Sequence, residues 1–303
     1  MHYTLHQLKI FVTVAQYQSI TKAAEELHLT QPAISIQLKK IQEQFELPLT
    51  EVIGRQLYVT DFGKEIVKRS QKILDEVDGI TTTIDQYRGL LTGKVKISLV
   101  STGKYVMPYF LKSFMDKYPG VEISVDVSNK NRVIEAMHKN ESDFSLVSVV
   151  PNDLNVHTVE LMSNTLNLIG HMEFDDHIKT VKDLEKVTLL FREEGSATRN
   201  AMEYFLKKNG VIPGKSMELV SNEAVKQAII AGLGVSIVPL IGLRTALANE
   251  RIRIFPLEGL PIVTKWNLVY NRGKSLTPAQ SELIKHLEDN KERVVDEYFS
   301  WAK

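Results

Sequence analysis

Residues 19–38 read SITKAAEELHLTQPAISIQL, and this stretch decides the fold of the first part of the chain. Ala24 is small at a point where two helices must approach each other closely, and residues 28–30 can form a short turn between them. Thr30 can cap the second helix, and Pro32 is tolerated only in a first helical turn. The pattern therefore predicts a helix-turn-helix, although helical pairs that bind nothing can share this spacing.

The exposed face of the second helix carries groups that can contact DNA. Gln and Ser side chains hydrogen-bond base edges or phosphates, and lysine neutralises phosphate. The candidate DNA-contacting residues in this segment are Thr30, Gln31, Pro32, Ser35, Gln37 and Lys39, with Lys40 as a second phosphate partner. Residues 1–60 hold five basic and five acidic side chains, so one copy would bind DNA weakly and several copies must act together.

A long periodic segment follows, from residue 64 to about residue 91. Two apolar stripes repeat every seven positions, and they consist of Ile66, Ile73, Ile80 and Tyr87, with Val77, Ile84 and Leu91 beside them and Ser70 as the one weak position. Heptad spacing predicts a helix that pairs with a second copy of itself. The alternative is a long helix packed on its own domain. Thr92 and Gly93 end the segment.

Beyond Gly93, strand-like and helix-like runs alternate, which predicts an α/β fold with a mostly parallel sheet. The predicted strands are residues 95–100, 121–127, 143–149, 166–170, 188–191, 217–220, 235–238 and 265–270. The predicted helices are residues 105–118, 131–140, 198–209, 222–231 and 278–299. Because this section is long for one such sheet, we expect two lobes with a cleft between them.

Several loops of this section have the composition of an anion site. Hydroxyl groups, free backbone N–H groups at a helix N-terminus and a nearby cation together favour an anion. In open α/β sheets ligands lie beyond the strand ends, so these loops predict one cleft, although each taken singly could be a mere helix cap. The candidate residues are Ser101, Thr102, Gly103 and Lys104 in one loop, Thr198 and Arg199 in the loop 192–199, Ser148 at the end of a third strand, and Asn222 as the cap of a fourth helix.

The composition excludes several function classes. The 303 residues contain no cysteine, which excludes disulfides, thiolate nucleophiles and Cys-based metal sites. Lys+Arg and Asp+Glu both number 37, which excludes a chain that coats polyanions through bulk charge. No apolar stretch has the length needed to span a bilayer, and the N-terminus lacks the features of a signal peptide, so we expect a cytoplasmic protein.

No enzyme, cofactor or metal site is predicted. Gly232 and Gly234 lie between a helix and a strand, whereas a dinucleotide fingerprint runs from a strand to a helix, so a helix C-cap is favoured. Residues 171–177 hold five potential metal ligands but lack two His at helical spacing, which favours a solvated loop. No nucleophile elbow and no supporting Ser/His/Asp set is present.

Residues 5–63 resemble the winged helix-turn-helix of LysR-type transcriptional regulators. The likeness extends over the whole chain, and two positions depart from it: Ile36 stands where the family often has Arg, and Thr50 where it usually has Phe. Ile36 thereby removes one positive charge that the family pattern places at the DNA. The residues that carry the likeness are Leu8, Phe11, Ala15, Ser19, Ala23, Ala24, Leu27, residues 31–35, Gln37 and Leu38, followed by a wing at residues 51–55 and 59–63.

The resemblance implies a three-part chain: a winged helix-turn-helix DNA-binding domain, a long linker helix, and a two-lobed effector domain of the periplasmic-binding-protein-like type 2 fold. Their bounds would be residues 1–61, 62–92 and 93–303. Lobe I would hold residues 93–163 plus 268–303, and lobe II residues 164–267. The helix at residues 31–44 would enter a major groove, and the wing near Arg55 would contact the DNA backbone or the minor groove.

The resemblance also implies partners and an effector. Two linker helices would pair, and effector domains would join pairs into a dimer of dimers on an interrupted inverted repeat of promoter DNA, with RNA polymerase as a further partner. Residues 101–111, 118–122 and 128–137 look most like regulators of carbon-fixation genes, which sense phosphorylated or other anionic metabolites. The alternative is a cytoplasmic small-molecule binding protein that carries a helical dimerisation module.

Overall fold

The computed structural model describes residues 3–54, 56–87, 90–151, 154–174 and 178–302. Within the helix that ends at Tyr87, it describes side chains at residues 61–77, 79 and 80. The chain divides into two compact units, Met1–Leu90 and Leu91–Lys303, and each is considered by itself. None of the helices in the described ranges is long and apolar enough to cross a membrane.

The first unit is a helical domain with a short hairpin. Each of its first three helices begins at a hydroxyl cap, because Thr4, Ser19 and Thr30 accept hydrogen bonds from the backbone N–H groups of the following turn. The predicted cap at Thr30 is thereby confirmed. The elements are α1 (Leu5–Tyr17), α2 (Ile20–Glu26), α3 (Gln31–Gln42), β1 (Thr50–Ile53), β2 (Gln56–Val59) and α4 (Asp61–Tyr87).

One apolar core holds this unit together. Ala23 and Ala24 are buried, so α2 can lie close to its neighbours, and Ile34, Leu38 and Ile41 form the buried face of α3. The start of α4 packs on the same core through Ile66 and Val67. Farther along the helix, apolar side chains stand exposed on this chain: Ile73 at 41%, Val77 at 37% and Ile80 at 61%.

The second unit is an α/β domain. Its strands are β3 (Gly93–Val100), β4 (Val121–Ser128), β5 (Phe144–Val147), β6 (Val156–His171), β7 (Thr188–Arg192), β8 (Lys215–Leu219), β9 (Ser236–Pro239), β10 (Ile252–Phe255) and β11 (Ile262–Asn271). The main sheet has the strand order β10-β6-β11-β5-β3-β4, with β9 also paired to β6, and β7 pairs with β8 in a separate ribbon. The helices are α5 (Met107–Lys117), α6 (Lys130–His138), α7 (Ala197–Lys208), α8 (Asn222–Ile230), α9 (Arg244–Ala248) and α10 (Pro278–Phe299).

The expected mostly parallel sheet is wrong, because the sheet is mixed. Strand β3 runs parallel to β4 and β5, and β7 to β8, whereas β6 and β11 run antiparallel to each other and to the remaining neighbours. The predicted strands 166–170 and 265–270 are the apolar parts of these two longer strands. In the first half of β6, the exposed residues Thr158 and Glu160 alternate with the buried residues Val159 and Leu161, which is typical of an antiparallel strand with one solvated face.

Strands β6 and β11 connect two lobes, as expected. One core lies under β3, β5, α5 and α10 and includes Phe110, Phe114 and Trp266. A second core lies under β7, α7 and β9 and includes Leu189 and Met202. Strand β6 contributes Leu161 to the first core and Leu168 to the second, so the chain passes from one lobe to the other between these positions.

Candidate functional site

Helix α3 presents a narrow exposed face in the first unit. Ile34, Leu38 and Ile41 point into the core, which leaves Gln31, Pro32, Ile36, Lys39 and Lys40 exposed and Ser35 half-buried. Lys39 Nζ lies 4.0 Å from Glu43 Oε1 on an exposed surface, a contact too weak to hold the ammonium group away from another anion. The exposed face of α3 therefore carries uncharged side chains in its first turns and two lysines in its last turn.

Gln37 differs from the other predicted DNA-contacting residues. Its side-chain oxygen accepts a hydrogen bond from Gln7 Nε2 at 3.1 Å, and Gln7 also closes the capping box of α1 with Thr4. The amide of Gln37 therefore ties α3 to α1. The β1–β2 wing pairs Thr50 with Val59, and Arg55, the predicted wing contact, lies outside the described residues.

The second unit contains a cleft of about 500 Å³, a volume that includes space open to solvent. It lies where the lobes meet, next to the point at which the paired strands β6 and β11 pass from one lobe to the other. Thr264 pairs with Asn164 in register there, and Asn164 Nδ2 donates to Thr264 Oγ1 at 2.9 Å. The polar residues that line the cleft are Ser101, Thr102, Asn129, Lys130, Ser148, Asn164, Arg192, Ser196, Thr198 and Thr264.

Four of the eight predicted effector residues line this cleft: Ser101, Thr102, Ser148 and Thr198. The other four lie outside its lining. Gly103 is buried, and a Cβ atom there would stand 3.0 Å from Leu146 Cδ2, so its place is in the core of the first lobe. Lys104 is exposed, with Nζ 5.1 Å from the centre of the Tyr105 ring.

Arg199 and Asn222 have other partners. Arg199 binds Glu203 at 2.7 Å and also Glu218, and these bonds raise the pKa of its guanidinium group. The expectation that Asn222 caps α8 is wrong, because the cap is Ser221, whose Oγ accepts from the backbone N–H of Ala224 at 3.0 Å. Asn222 is the first residue of the helix, which frees its amide to contact Ser101.

Arg192 is the functional candidate that the sequence predictions missed. It is 3% exposed, and it lines the cleft at the end of β7. Its Nε and Nη2 atoms donate to the two carboxylate oxygens of Glu193, each at 2.7 Å. Arg192 is the first residue of the loop 192–199 and directly follows the predicted strand 188–191, and this position at a strand end is the signal in the sequence that points to it.

Ser101 connects the two lobes across the cleft. Its Oγ, at the end of β3, accepts from Arg192 Nη2 at 3.4 Å and from Asn222 Nδ2 at 3.1 Å. Both donors belong to the second lobe, at the end of β7 and the start of α8. The cleft thus combines a buried guanidinium group, several hydroxyl groups and a direct hydrogen-bonded link between the lobes, which suits a small anion.

Within the described ranges, no group of three or more His, Asp or Glu side chains could hold a metal ion. Asp175, Asp176 and His177, part of the loop whose composition includes potential metal ligands, lie outside those ranges.

Comparisons with known proteins bear on both units. Residues 5–64 match the family model described as bacterial regulatory helix-turn-helix protein, lysR family, and residues 88–292 match the LysR substrate binding domain. The chain is 36% identical over 291 residues to the RuBisCO operon transcriptional regulator of Acidithiobacillus ferrooxidans, with 94% of each chain covered. The helix-turn-helix match favours a regulator over the alternative of a binding protein without a DNA-binding domain.

Solved structures share the fold. The Synechocystis PCC6803 CcmR regulatory domain in complex with 2-PG is 28% identical, with a TM-score of 0.63 that covers 66% of this chain and 98% of that one. Full-length CbnR complexed with its target DNA is 20% identical, with a TM-score of 0.66 over 96% of this chain and 100% of that one. The expected resemblance to carbon-fixation regulators is confirmed, and the chain belongs to the LysR family of DNA-binding transcriptional regulators, which are not enzymes.

Proposed function

We propose that this regulator senses a small anionic metabolite in the cleft between its lobes and reads promoter DNA with α3. The observation that carries the effector part is the guanidinium group of Arg192, a buried cation in the cleft wall. Hydroxyl groups of Ser101, Thr102, Ser148 and Thr198 surround the same space and can donate to anionic oxygens. Because Nε and Nη2 of Arg192 already donate to Glu193, a carboxylate or phosphate in the cleft would compete with Glu193 for the guanidinium group, and its negative charge favours it over a neutral ligand.

A specific candidate comes from the relative whose regulatory domain was solved in complex with 2-PG. That regulatory domain is 28% identical to this chain and is matched over 98% of its length, which supports 2-PG as the first compound to try. Gly103, Lys104, Arg199 and Asn222 then support the loops instead of touching the effector, because they lie outside the cleft lining.

The link through Ser101 suggests how binding is transmitted. Arg192 and Asn222 of one lobe donate hydrogen bonds to Ser101 of the other. An anion that binds Arg192 would compete for these hydrogen bonds and favour a different angle between the lobes. A ligand shifts such an equilibrium only by its differential affinity for the two states, so the response is expected to scale with the contacts to Arg192.

For the DNA part, we propose that Gln31, Pro32, Ser35 and Lys39 contact the major groove or its phosphates, with Thr30 at the helix start. Gln37 would act indirectly, by holding α3 against α1.

We further propose that the chain divides into residues 1–61, 62–92 and 93–303. In this proposal α4 pairs between two chains, a tetramer binds an interrupted inverted repeat, and the protein is cytoplasmic. The lobes would divide at residues 163/164 and 267/268, near the Asn164–Thr264 pair.

The effector proposal is tested by thermal unfolding of the full chain with 2-PG, inorganic phosphate and an uncharged sugar. A ligand at 100 times its Kd stabilises the folded state by about 2.7 kcal/mol, which corresponds to roughly 5 to 10 °C for the effector unit. We expect this shift with 2-PG and its loss in Arg192→Gln. Thr198→Val, which removes one hydroxyl at nearly constant volume, should reduce the shift.

Arg251→Gln is the matched control, because Arg251 is an exposed arginine of the same lobe that lies outside the cleft lining, whereas Arg199 donates to the backbone oxygen of Arg192 at 3.0 Å. It should leave the ligand-induced shift unchanged. Stabilisation by the uncharged sugar alone, or equal shifts in the chain with Arg192 and in Arg192→Gln, would overturn the assignment of an anion site to this cleft.

A further inference from the structure

Ile36 is an exposed apolar side chain at the centre of the proposed DNA-reading face. It is 54% exposed, whereas Ile34, Leu38 and Ile41 on the opposite face of α3 are buried. Residues four apart lie on the same side of a helix, so Pro32, Ile36 and Lys40 form one exposed row. Ile36 therefore takes no part in the core of its own unit.

The positions of its neighbours make Ile36 the central side chain of this exposed row. Gln37, the next residue, is held by Gln7 and does not project freely from the helix. Pro32 lies one turn before Ile36, and the two lysines lie one turn after it. A single exposed isoleucine is common on protein surfaces, but this one lies between the predicted base-contacting residues and the phosphate-contacting lysines.

We propose that Ile36 reads the methyl group of a thymine in the major groove, an inference that rests on the proposed role of α3 as the reading helix. Of the four bases, only thymine presents an apolar group at the major-groove edge. An isoleucine side chain cannot satisfy the donors or acceptors of the other bases, so placing it against them would desolvate polar groups without a partner. Ile36 thus favours thymine at one position of each half-site.

The experiment removes that methyl group alone. The full-length protein is first used to select a duplex from a random-sequence pool, and each thymine of the selected site is then replaced by uracil at symmetric positions of both half-sites. Burying a methyl-sized group contributes a factor of about four in affinity, so roughly 15-fold weaker binding is expected when both contacted half-sites lose it. The readout is the ratio of Kd values for the uracil and thymine duplexes.

In Ile36→Ala, that ratio should fall to about one at a single position, while the ratios at other thymines stay unchanged. Ile36→Val keeps a branched side chain and should retain most of the ratio. Leu47→Ala is the matched control, because Leu47 is 56% exposed in the same unit but lies outside α3. All of these side chains are exposed, so an unchanged melting temperature verifies the fold of each variant.

Two failures can be told apart. If Ser35→Ala or Lys39→Ala weakens binding but Ile36→Ala leaves every uracil-to-thymine ratio as in the unaltered chain, α3 reads DNA and the role of Ile36 is refuted. If none of the three variants changes the Kd, the proposed reading by α3 fails as well.

Discussion

Burial and charge oppose each other at Arg192. Removing a guanidinium group from water is costly, and here the cost is offset by the two-pronged contact with Glu193 and by Ser101. Removing one member of such a buried pair typically costs about 3 to 5 kcal/mol. Arg192→Gln should therefore melt at a lower temperature even without ligand. For this reason the ligand-induced shift is the informative quantity, and Thr198→Val provides a second, less disruptive variant.

Replacing each of two glycines of α4 by alanine is expected to have opposite effects on the stability of the first unit. A Cβ atom at Gly63 would stand 2.0 Å from the backbone oxygen of Leu49, whereas one at Gly79 would have none of the described side chains within 4 Å. Gly63→Ala should therefore destabilise the first unit by about 1 to 3 kcal/mol or more, because backbone must move. Gly79→Ala should stabilise the helix by about 0.5 to 1 kcal/mol, since alanine loses less entropy on folding.

Urea denaturation of the full chain, followed by circular dichroism, measures both glycine variants. Gly79→Ala serves as the control for the alanine substitution itself, because it lies in the same helix. A Gly63→Ala variant as stable as the original chain would show that the contact between α4 and Leu49 is not tight.

The first turns of α4 follow one of the two alternatives that its heptad pattern leaves open, and its later turns remain available for the other. Its first turns pack on their own domain through Ile66 and Val67, and the weak position Ser70 is buried there. Ile73, Val77 and Ile80 remain exposed on one side of the helix. The side chains of Ile84 and Tyr87, which would continue the stripe, lie outside the described residues. Pairing with a second copy is therefore a prediction for the later turns only.

Ile80→Glu tests this pairing. Two such glutamates would face each other in the seam of a coiled coil, where like charges and loss of apolar contact both destabilise association. Sedimentation velocity at micromolar concentration should then show an assembly at most half the original size. Lys68→Glu, an exposed position on the opposite side of α4, should leave the assembly intact. An unchanged size for Ile80→Glu would exclude pairing through this stripe.

Features that depend on neighbouring residues were predictable from the sequence, whereas features that depend on contacts between distant parts of the chain were not. The cap at Thr30 and the proline turn of α3 depend on neighbouring residues, so the helix-turn-helix was predicted well. The polar first half of β6 escaped prediction, because its pattern depends on which face of a distant sheet is covered. In the cleft, Thr198 and Arg199 are adjacent in sequence, but successive residues of a helix point about 100° apart, so only one faces the space.

For the whole molecule, charge balance constrains how DNA is bound. The chain has 37 basic and 37 acidic residues, so its net charge gives no general attraction to DNA. Affinity must then come from local cations such as Lys39 and Lys40, repeated in each copy of an oligomer. Because each phosphate contact releases counterions, the salt dependence of binding counts these contacts across the whole assembly.

Lys39→Gln should reduce the slope of log K against log salt by about 0.9 for each copy that contacts DNA. The expected change is therefore roughly 1.8 if two heads are bound and roughly 3.6 if four are bound. Fluorescence anisotropy on the selected duplex at several salt concentrations measures the slope. Lys215→Gln, which changes an exposed lysine of the effector unit, should leave the slope unaltered. A change smaller than that of one contact would refute the phosphate role of Lys39, whereas a value near 3.6 would support a tetramer with all four heads on DNA.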